Sequence, residues 1–263
     1  MSRDSEGMRC ILGAYTFNAV ANVTQVIEGG VTTTYTYDNI DQLTGEYRSG
    51  YAATYTYDAN GNRLTKTLNS VTENYSYDSA DKLLSAGSKT YDYDDAGRTT
   101  EVTSGGVTTY LAYDYEGRVT SITKSGVTTN SFAYNGLDTR VSKTDSAGTK
   151  TYRRAGAYVT DPVLGDGSAN FTPGISERRS STTTYLHSAL KNADAQTSTL
   201  QAVTGTRQYD AFGNVTSSSG SWAGPFGYAG GGWLPRRLRP RSQTSWSPVL
   251  RFFNGSVPDP RSS

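Results

Sequence analysis

The 263 residues contain a single cysteine and a single histidine. Cys10 alone closes no internal disulfide, and no Cys/His spacing suits a structural zinc site. Leucine is scarce and no apolar run approaches the length of a membrane span, so neither a helical bundle nor membrane insertion is expected. Met1 to Leu12 lacks the apolar core of a signal peptide. The net charge of +1 offers no global electrostatic case for nucleic acid or a membrane surface. That balance hides an asymmetry. Residues 231–263 hold six Arg and one Asp, which leaves 19 basic and 23 acidic residues, a net of −4, for 1–230. A mildly acidic body is a poor match for a phosphate backbone.

What the chain has in quantity is tyrosine, threonine and valine, a strand-forming mixture. The tyrosines are periodic. Tyr35-Thr36-Tyr37-Asp38 is followed by Tyr55-Thr56-Tyr57-Asp58, Tyr75-Ser76-Tyr77-Asp78, Tyr91-Asp92-Tyr93-Asp94, Leu111-Ala112-Tyr113-Asp114 and Phe132-Ala133-Tyr134-Asn135. The second aromatic residues are spaced 20, 20, 16, 20 and 21 residues apart. Tyr15, Phe17 and Asn18 form a degraded earlier copy. A fixed period of this size marks a repeat architecture, in which each unit buries its face against its neighbours.

One period reads as two strands and two turns. Alternating aromatic and small polar residues predict a strand with one buried face. Asp, two small residues and Gly then predict a tight turn, with Gly61, Gly97 and Gly117 supplying the positive φ. Asp41 and Asp81 stand where Gly is expected, so those turns are predicted to be weaker. A Thr/Val-rich strand follows, ending at a return turn such as Ser49-Gly50 or Gly105-Gly106. The tyrosines have two readings. As a packed ladder, each ring packs on the ring of the next repeat and its hydroxyl reaches polar partners or water. As an exposed row, the rings would be stacking platforms for sugars or nucleobases. Recurrence at invariant positions favours the ladder.

Beyond Tyr152 the rhythm changes. Asp161-Pro162, Gly165-Asp166-Gly167 and Pro173-Gly174 are turn signals, and an irregular set of strands and loops is expected. Thr182 to His187 begins another strand, and Leu190 to Ala202 is predicted to be a short helix or a long loop. The turn chemistry returns once more at Tyr209-Asp210-Ala211-Phe212-Gly213. Trp222, Phe226 and Tyr228 lie among glycines and are expected to form a plug or terminal layer.

Candidate chemistry is thin. His187 has no Gly-x-Ser-x-Gly partner and reads as structural. The repeated aspartates lack the ligand set and bidentate Glu of a calcium loop, so turn capping is the preferred role. Asn22, Asn74 and Asn214 open glycosylation sequons of a kind frequent in Thr-rich chains. No catalytic, cofactor-binding or metal residue is expected.

The Tyr-x-Tyr-Asp-x-x-Gly-Arg pattern resembles the YD repeats of Rhs proteins, toxin-complex shell components and the teneurin YD-shell. Tyr185-Leu186-His187 followed by Arg207 to Asn214 is similar to the opening of the bacterial Rhs-repeat-associated core. The likeness spans about 13–230. It implies a spiralling antiparallel hairpin sheet, part of a hollow shell that encloses a C-terminal toxin, and in some relatives a surface adhesin that contacts carbohydrate. The resemblance also implies a Tyr-Tyr-Asp-Pro segment and a self-cleaving, aspartate-bearing end past Tyr228. Neither is present, and Asp259-Pro260 lies in unmatched surroundings. The abrupt change to an Arg-, Pro- and Ser-rich composition leads us to expect a shifted reading frame in the tail. The repeat opens almost at residue 1, as though cut from a longer protein.

The resulting expectation is an all-β, non-enzymatic shell fragment without cofactors. Its parts are an irregular 1–12, YD repeats over 13–152, a partial core over 153–230 and a disordered tail over 231–263. It would be secreted or at the cell surface as part of a longer protein, with the remaining shell and toxin as partners. Carbohydrate binding is the alternative. Isolated, its open strand edges would self-associate.

Overall fold

The computed structural model describes residues 14–28, 30–127, 129–187 and 193–228, and every regular element among them is a β-strand. In chain order the first eight are β1 Ala14–Phe17, β2 Val23–Glu28, β3 Val31–Tyr37, β4 Leu43–Arg48, β5 Tyr51–Tyr57, β6 Arg63–Leu68, β7 Val71–Tyr77 and β8 Leu83–Ala86. There follow β9 Lys89–Tyr93, β10 Thr99–Ser104, β11 Val107–Tyr113, β12 Val119–Lys124, β13 Asn130–Tyr134, β14 Arg140–Asp145 and β15 Gly148–Thr151. These build one antiparallel 15-stranded sheet in which every strand pairs with its sequence neighbours. A second sheet of eight strands holds β16 Arg153–Arg154, β17 Val163–Gly165, β18 Asn170–Thr172, β19 Ser176–Arg179 and β20 Thr182–His187. It is completed by β21 Ala195–Thr197, β22 Val203–Tyr209 and β23 Val215–Gly220. The two sheets divide at Tyr152.

Strict alternation sorts the side chains of the first sheet onto two faces. One face, here called inner, carries Tyr55, Tyr91 and Leu111, at 3%, 8% and 5% exposure. The outer face is a lattice of hydroxyls. Thr56 meets Thr65 at 2.6 Å, Thr67 meets Thr72 at 2.9 Å, Ser76 meets Ser85 at 2.6 Å and Thr103 meets Thr108 at 2.8 Å. Such cross-strand pairs stabilise a sheet by about 0.2–1 kcal/mol each. The 16-residue period is accounted for by a shortened hairpin, since β8 has 4 residues and β9 has 5, where β4 and β5 have 6 and 7.

The second sheet packs a small core of its own. Phe171 meets Phe226 edge-on at 5.2 Å, and Arg207 lies over the Trp222 ring at 4.3 Å. Gln196, with no exposed surface, exchanges two hydrogen bonds with the Ala223 backbone at 2.6 and 2.7 Å. The aromatic segment after β23 is thus a terminal layer on this sheet. The described part of the stretch expected as helix or loop, 193–202, forms β21 and a turn, and residues 188–192 lie outside the described residues. Pairing on both sides, with β20 and β22, outweighs the weak local preference there.

Candidate functional site

One turn recurs along the chain, opened by Asn18, Asp38, Asp58, Asp78, Asp94, Asp114, Asn135 and Asp210. In each, the side-chain Oδ1 accepts the amide of the residue four places on, at 2.8–3.0 Å. The residue three places on has a φ between +58° and +90°: Ala21, Asp41, Gly61, Asp81, Gly97, Gly117, Asp138 and Gly213. Asp is suited to the opening position because its carboxylate reaches its own following amides. The amide of Lys82 holds the Asp78 carboxyl below the usual range, and that of Arg98 does the same for Asp94. These carboxylates are occupied by their own turns.

The turns also stack. The last residue of each lies over the positive-φ residue of the next. Asn22 Nδ2 donates to Asp41 at 2.8 Å, Asn62 Nδ2 to Asp81 at 2.7 Å and Arg118 Nη1 to Asp138 at 2.9 Å. Where the positive-φ residue is Gly, the same neighbour approaches its open face. A Cβ added at Gly61 would meet the Gln42 amide nitrogen at 3.2 Å, and one at Gly97 would meet Lys82 Cδ at 3.9 Å. Asp41 and Asp81 are therefore not merely tolerated in the left-handed region. Each spends its carboxylate on the preceding repeat, which offsets the conformational cost expected from sequence.

The second tyrosine of each repeat makes another tie. Tyr37, Tyr57, Tyr77, Tyr113 and Tyr134 donate their hydroxyls to the carbonyls of Val23, Leu43, Arg63, Thr99 and Val119, at 2.7–3.0 Å. Tyr93 reaches Leu83 at 2.7 Å across the shortened hairpin, and Tyr209 reaches Ala193 at 3.0 Å in the second sheet. In each wall case the acceptor begins the second strand of the preceding hairpin. Cations complete the stack, with Arg98 over Tyr113 at 4.9 Å and Arg118 over Tyr134 at 5.1 Å. The first tyrosines, Tyr35, Tyr55, Tyr75 and Tyr91, line the inner face. Burial pushes the phenols up, Tyr57 to about 12 and Tyr55 and Tyr35 further.

Asp210 is where the pattern is put to a different use. Its turn is not stacked in the row but seated on the inner face of the first sheet. Lys66 Nζ lies 3.1 Å from Asp210 Oδ2, and the Ala211 amide donates to Glu46 Oε2 at 2.8 Å. Phe212 meets Tyr55 edge-on at 5.0 Å, with the Arg63 guanidinium 4.7 Å from its ring. Arg48 bridges Glu46 at 2.5 Å and Thr216 Oγ1 at 2.6 Å. Glu46 has no exposed surface. Burial pushes its carboxyl up against the opposing pull of the Ala211 amide and Arg48, and the net direction is upward.

Sequence reasoning placed the tyrosines, aspartates and glycines but passed over Glu46, Arg48, Arg63 and Lys66. A signal existed, because Glu46 and Lys66 pair across strands with Tyr35 and Tyr55 and therefore share their aromatic face. It also missed a further turn, Ser198 to Ala202, in which Ser198 replaces Asp and Gln201 takes a φ of +62°. His187 Nε2 is paired with Thr197 Oγ1 at 2.8 Å across the ladder, a structural contact. Cys10 and Asp259 lie outside the described residues. Among the described residues no group of three His, Cys, Asp or Glu side chains is arranged to hold a metal ion, and no helix is long and apolar enough to cross a membrane.

No curated protein matches the chain by sequence. Among solved structures, TcdB2-TccC3 without its hypervariable C-terminal region matches with a TM-score of 0.54 at 13% identity. TcdB2-TccC3-TEV matches with a TM-score of 0.53 at 13% identity. Each match covers 83% of this chain but only 14% of the other, and at that identity the likeness is one of fold. Residues 16–152, just over half of the sequence and the whole run of stacked turns beyond the first strand, match the teneurin YD-shell, and the chain belongs to that family.

Proposed function

We propose that this chain supplies a stretch of non-catalytic shell wall in a larger secreted or surface-displayed toxin of the Rhs type. In that assembly the wall encloses or presents a C-terminal effector, and the partners are the remaining shell and the effector itself. The observation that carries this reading is the use of the repeat residues. The recurring turn aspartates serve their own turns, and every second tyrosine ties one repeat to the backbone of the one before. The named repeat residues, from Tyr35 to Gly213, are thus assigned as rungs and corners. The similar structures contain the TcdB2-TccC3 pair, which agrees with a role beside other shell and toxin components.

The test is protease protection in the longer polypeptide. The wall should resist digestion, and a polypeptide following it should be cut far more slowly than the same polypeptide free in solution. Equal rates would overturn the enclosing role. Among the described residues β1, β15, β16 and β23 are the outermost strands of the two sheets, so the isolated chain should self-associate. Light scattering giving a stable monomer would refute that part. The rival reading, a carbohydrate adhesin with the tyrosine row as its platform, is less well supported because Tyr55 and Tyr91 are 3% and 8% exposed. A constant intact mass on prolonged incubation is expected, and a fragment appearing with time would reveal self-cleavage.

A further inference from the structure

The last turn of the first sheet departs from its copies at two adjacent residues. It is opened by Asn135 rather than Asp, and Gly136 follows where the other stacked turns have Ala19, Asn39, Ala59, Ser79, Asp95 and Tyr115. We propose that Asn135 is a site of spontaneous deamidation, and that its conversion frees the loop between β16 and β17 from the wall. The reaction consumes only water and does not depend on the shell role.

The chemistry is intramolecular. The Gly136 amide nitrogen gives up its proton to hydroxide and attacks Asn135 Cγ, closing a succinimide ring. The Cγ–Nδ2 bond breaks and ammonia leaves. Water then opens the ring to aspartate or isoaspartate. The turn favours the attack. Asn135 Oδ1 accepts the amides of Leu137 and Thr139 at 2.9 and 3.0 Å, so two donors already face the oxygen on which negative charge develops. Among the described residues the Gly136 amide makes no hydrogen bond. Gly136 is exposed, and a Cβ there would meet nothing within 4 Å, so the nitrogen is open to solvent. Two other asparagines supply the contrast. Asn60 also precedes a glycine, but the Gly61 amide is held by the Asp58 carbonyl at 3.1 Å and Asn60 Nδ2 by Asp81 at 3.0 Å. Asn18 opens its turn as Asn135 does, but the methyl of Ala19 hinders ring closure.

Asn135 does more than close its turn. Its Nδ2 donates to the Ala157 carbonyl at 3.1 Å, and Thr139 Oγ1 donates to the same oxygen at 2.8 Å. Ala157 lies in the loop between β16 and β17, which also bonds within itself, from Ala155 to Pro162 at 3.0 Å and from Tyr158 to the Asp161 carboxylate at 2.8 Å. A carboxylate at 135 has no proton to offer Ala157. In other turns the second carboxylate oxygen accepts from the side chain four places on, as Asp58 does from Asn62 at 3.1 Å and Asp210 from Asn214 at 2.9 Å. Thr139 fills that place here, so its hydroxyl would turn to the new carboxylate. The Ala157 carbonyl then loses both donors. Isoaspartate also adds a carbon to the backbone, which displaces the turn itself.

Peptide mass mapping of the full chain after incubation in mildly alkaline buffer tests this. Tryptic peptide 125–140 should gain the mass of amide-to-acid exchange, placed on Asn135 by fragmentation, at least about tenfold faster than Asn60 converts. Gly136→Ala should lose that gain yet keep its circular dichroism spectrum, since the φ there is not positive and the space is open. Asn135→Asp, the product of conversion, should be cut by chymotrypsin after Tyr158, which is 62% exposed, about fivefold faster than the parent. No gain at Asn135, or Asn60 converting first, would overturn the modification site. A gain undiminished in Gly136→Ala would overturn the succinimide route. Equal digestion of Asn135→Asp and the parent would overturn the release of the loop.

Discussion

The two sheets hold themselves together in opposite ways. In the first, one small set of bonds is repeated: a carboxylate closing its turn, a phenol tied to the preceding repeat and a hydroxyl pair across the outer face. Each is local, and the loss of one leaves its copies in place. In the second sheet the decisive contacts occur once. Gln196 grips Ala223, Tyr228 lies over Gly213 and donates to the Ala211 carbonyl at 3.0 Å, and Asp210 is held by Lys66 from the other sheet. Repetition makes a wall tolerant of single losses, whereas a junction built from single contacts is vulnerable at each of them.

Alkali should separate the two regions most sharply. Folded tyrosines whose pKa is raised contribute stability that is whole below the unfolded value near 10 and is lost as pH climbs through the folded one. Burial raises Tyr37, Tyr57, Tyr77, Tyr93, Tyr113 and Tyr134 in the wall, with Tyr57 at about 12, and Tyr209 in the second sheet. The wall should therefore unfold between roughly pH 10 and 12, with tyrosinate absorbance and the loss of circular dichroism rising together. Titration of most tyrosines with the sheet signal unchanged would contradict the ladder.

At the junction, Asp210→Ala strands Lys66 beside a buried site and should cost about 3–5 kcal/mol in chemical denaturation. Asp94→Ala, the same change in the stacked row, should cost distinctly less. Equal losses would erase the distinction between single and repeated contacts. Tyr57→Phe removes one tie between repeats and should cost about 1 kcal/mol, while Tyr37→Phe should match it. The smallest difference is expected between two variants at Gly97. Gly97→Ala should destabilise by about 1–2 kcal/mol because its φ is positive. Gly97→Asp should lose less, since Lys82 lies over that position as Asn62 lies over Asp81. Thermal melts of the pair in the reverse order would refute the stacking rule.

Much of this was legible in the residues, and the reason is proximity. Asp58 and Asn62 are four residues apart and Tyr57 and Leu43 fourteen, so one period contains both partners of the turn and nearly both of the rung. The shortened repeat was visible as a spacing of 16 and reappears as the ten-residue reach of Tyr93 to Leu83. The Ser198 turn escaped notice because its backbone repeats the pattern while its side chains do not. Glu46 and Lys66 escaped because a charge on a strand reads as solvent-facing until something covers it.

The sequence by itself determined the strands, the faces they turn and the corners between them, since alternation and turn closure act over a few residues. Only the tertiary structure decided which aspartate would leave the row. Asp210 has the same turn as Asp58, yet it meets Lys66 across 144 residues, and its neighbour Ala211 meets Glu46 across 165. Those meetings depend on the twist and bend that many strands accumulate, and no single repeat carries that sum. The sheets part at Tyr152, where a cleft opens beside Arg153.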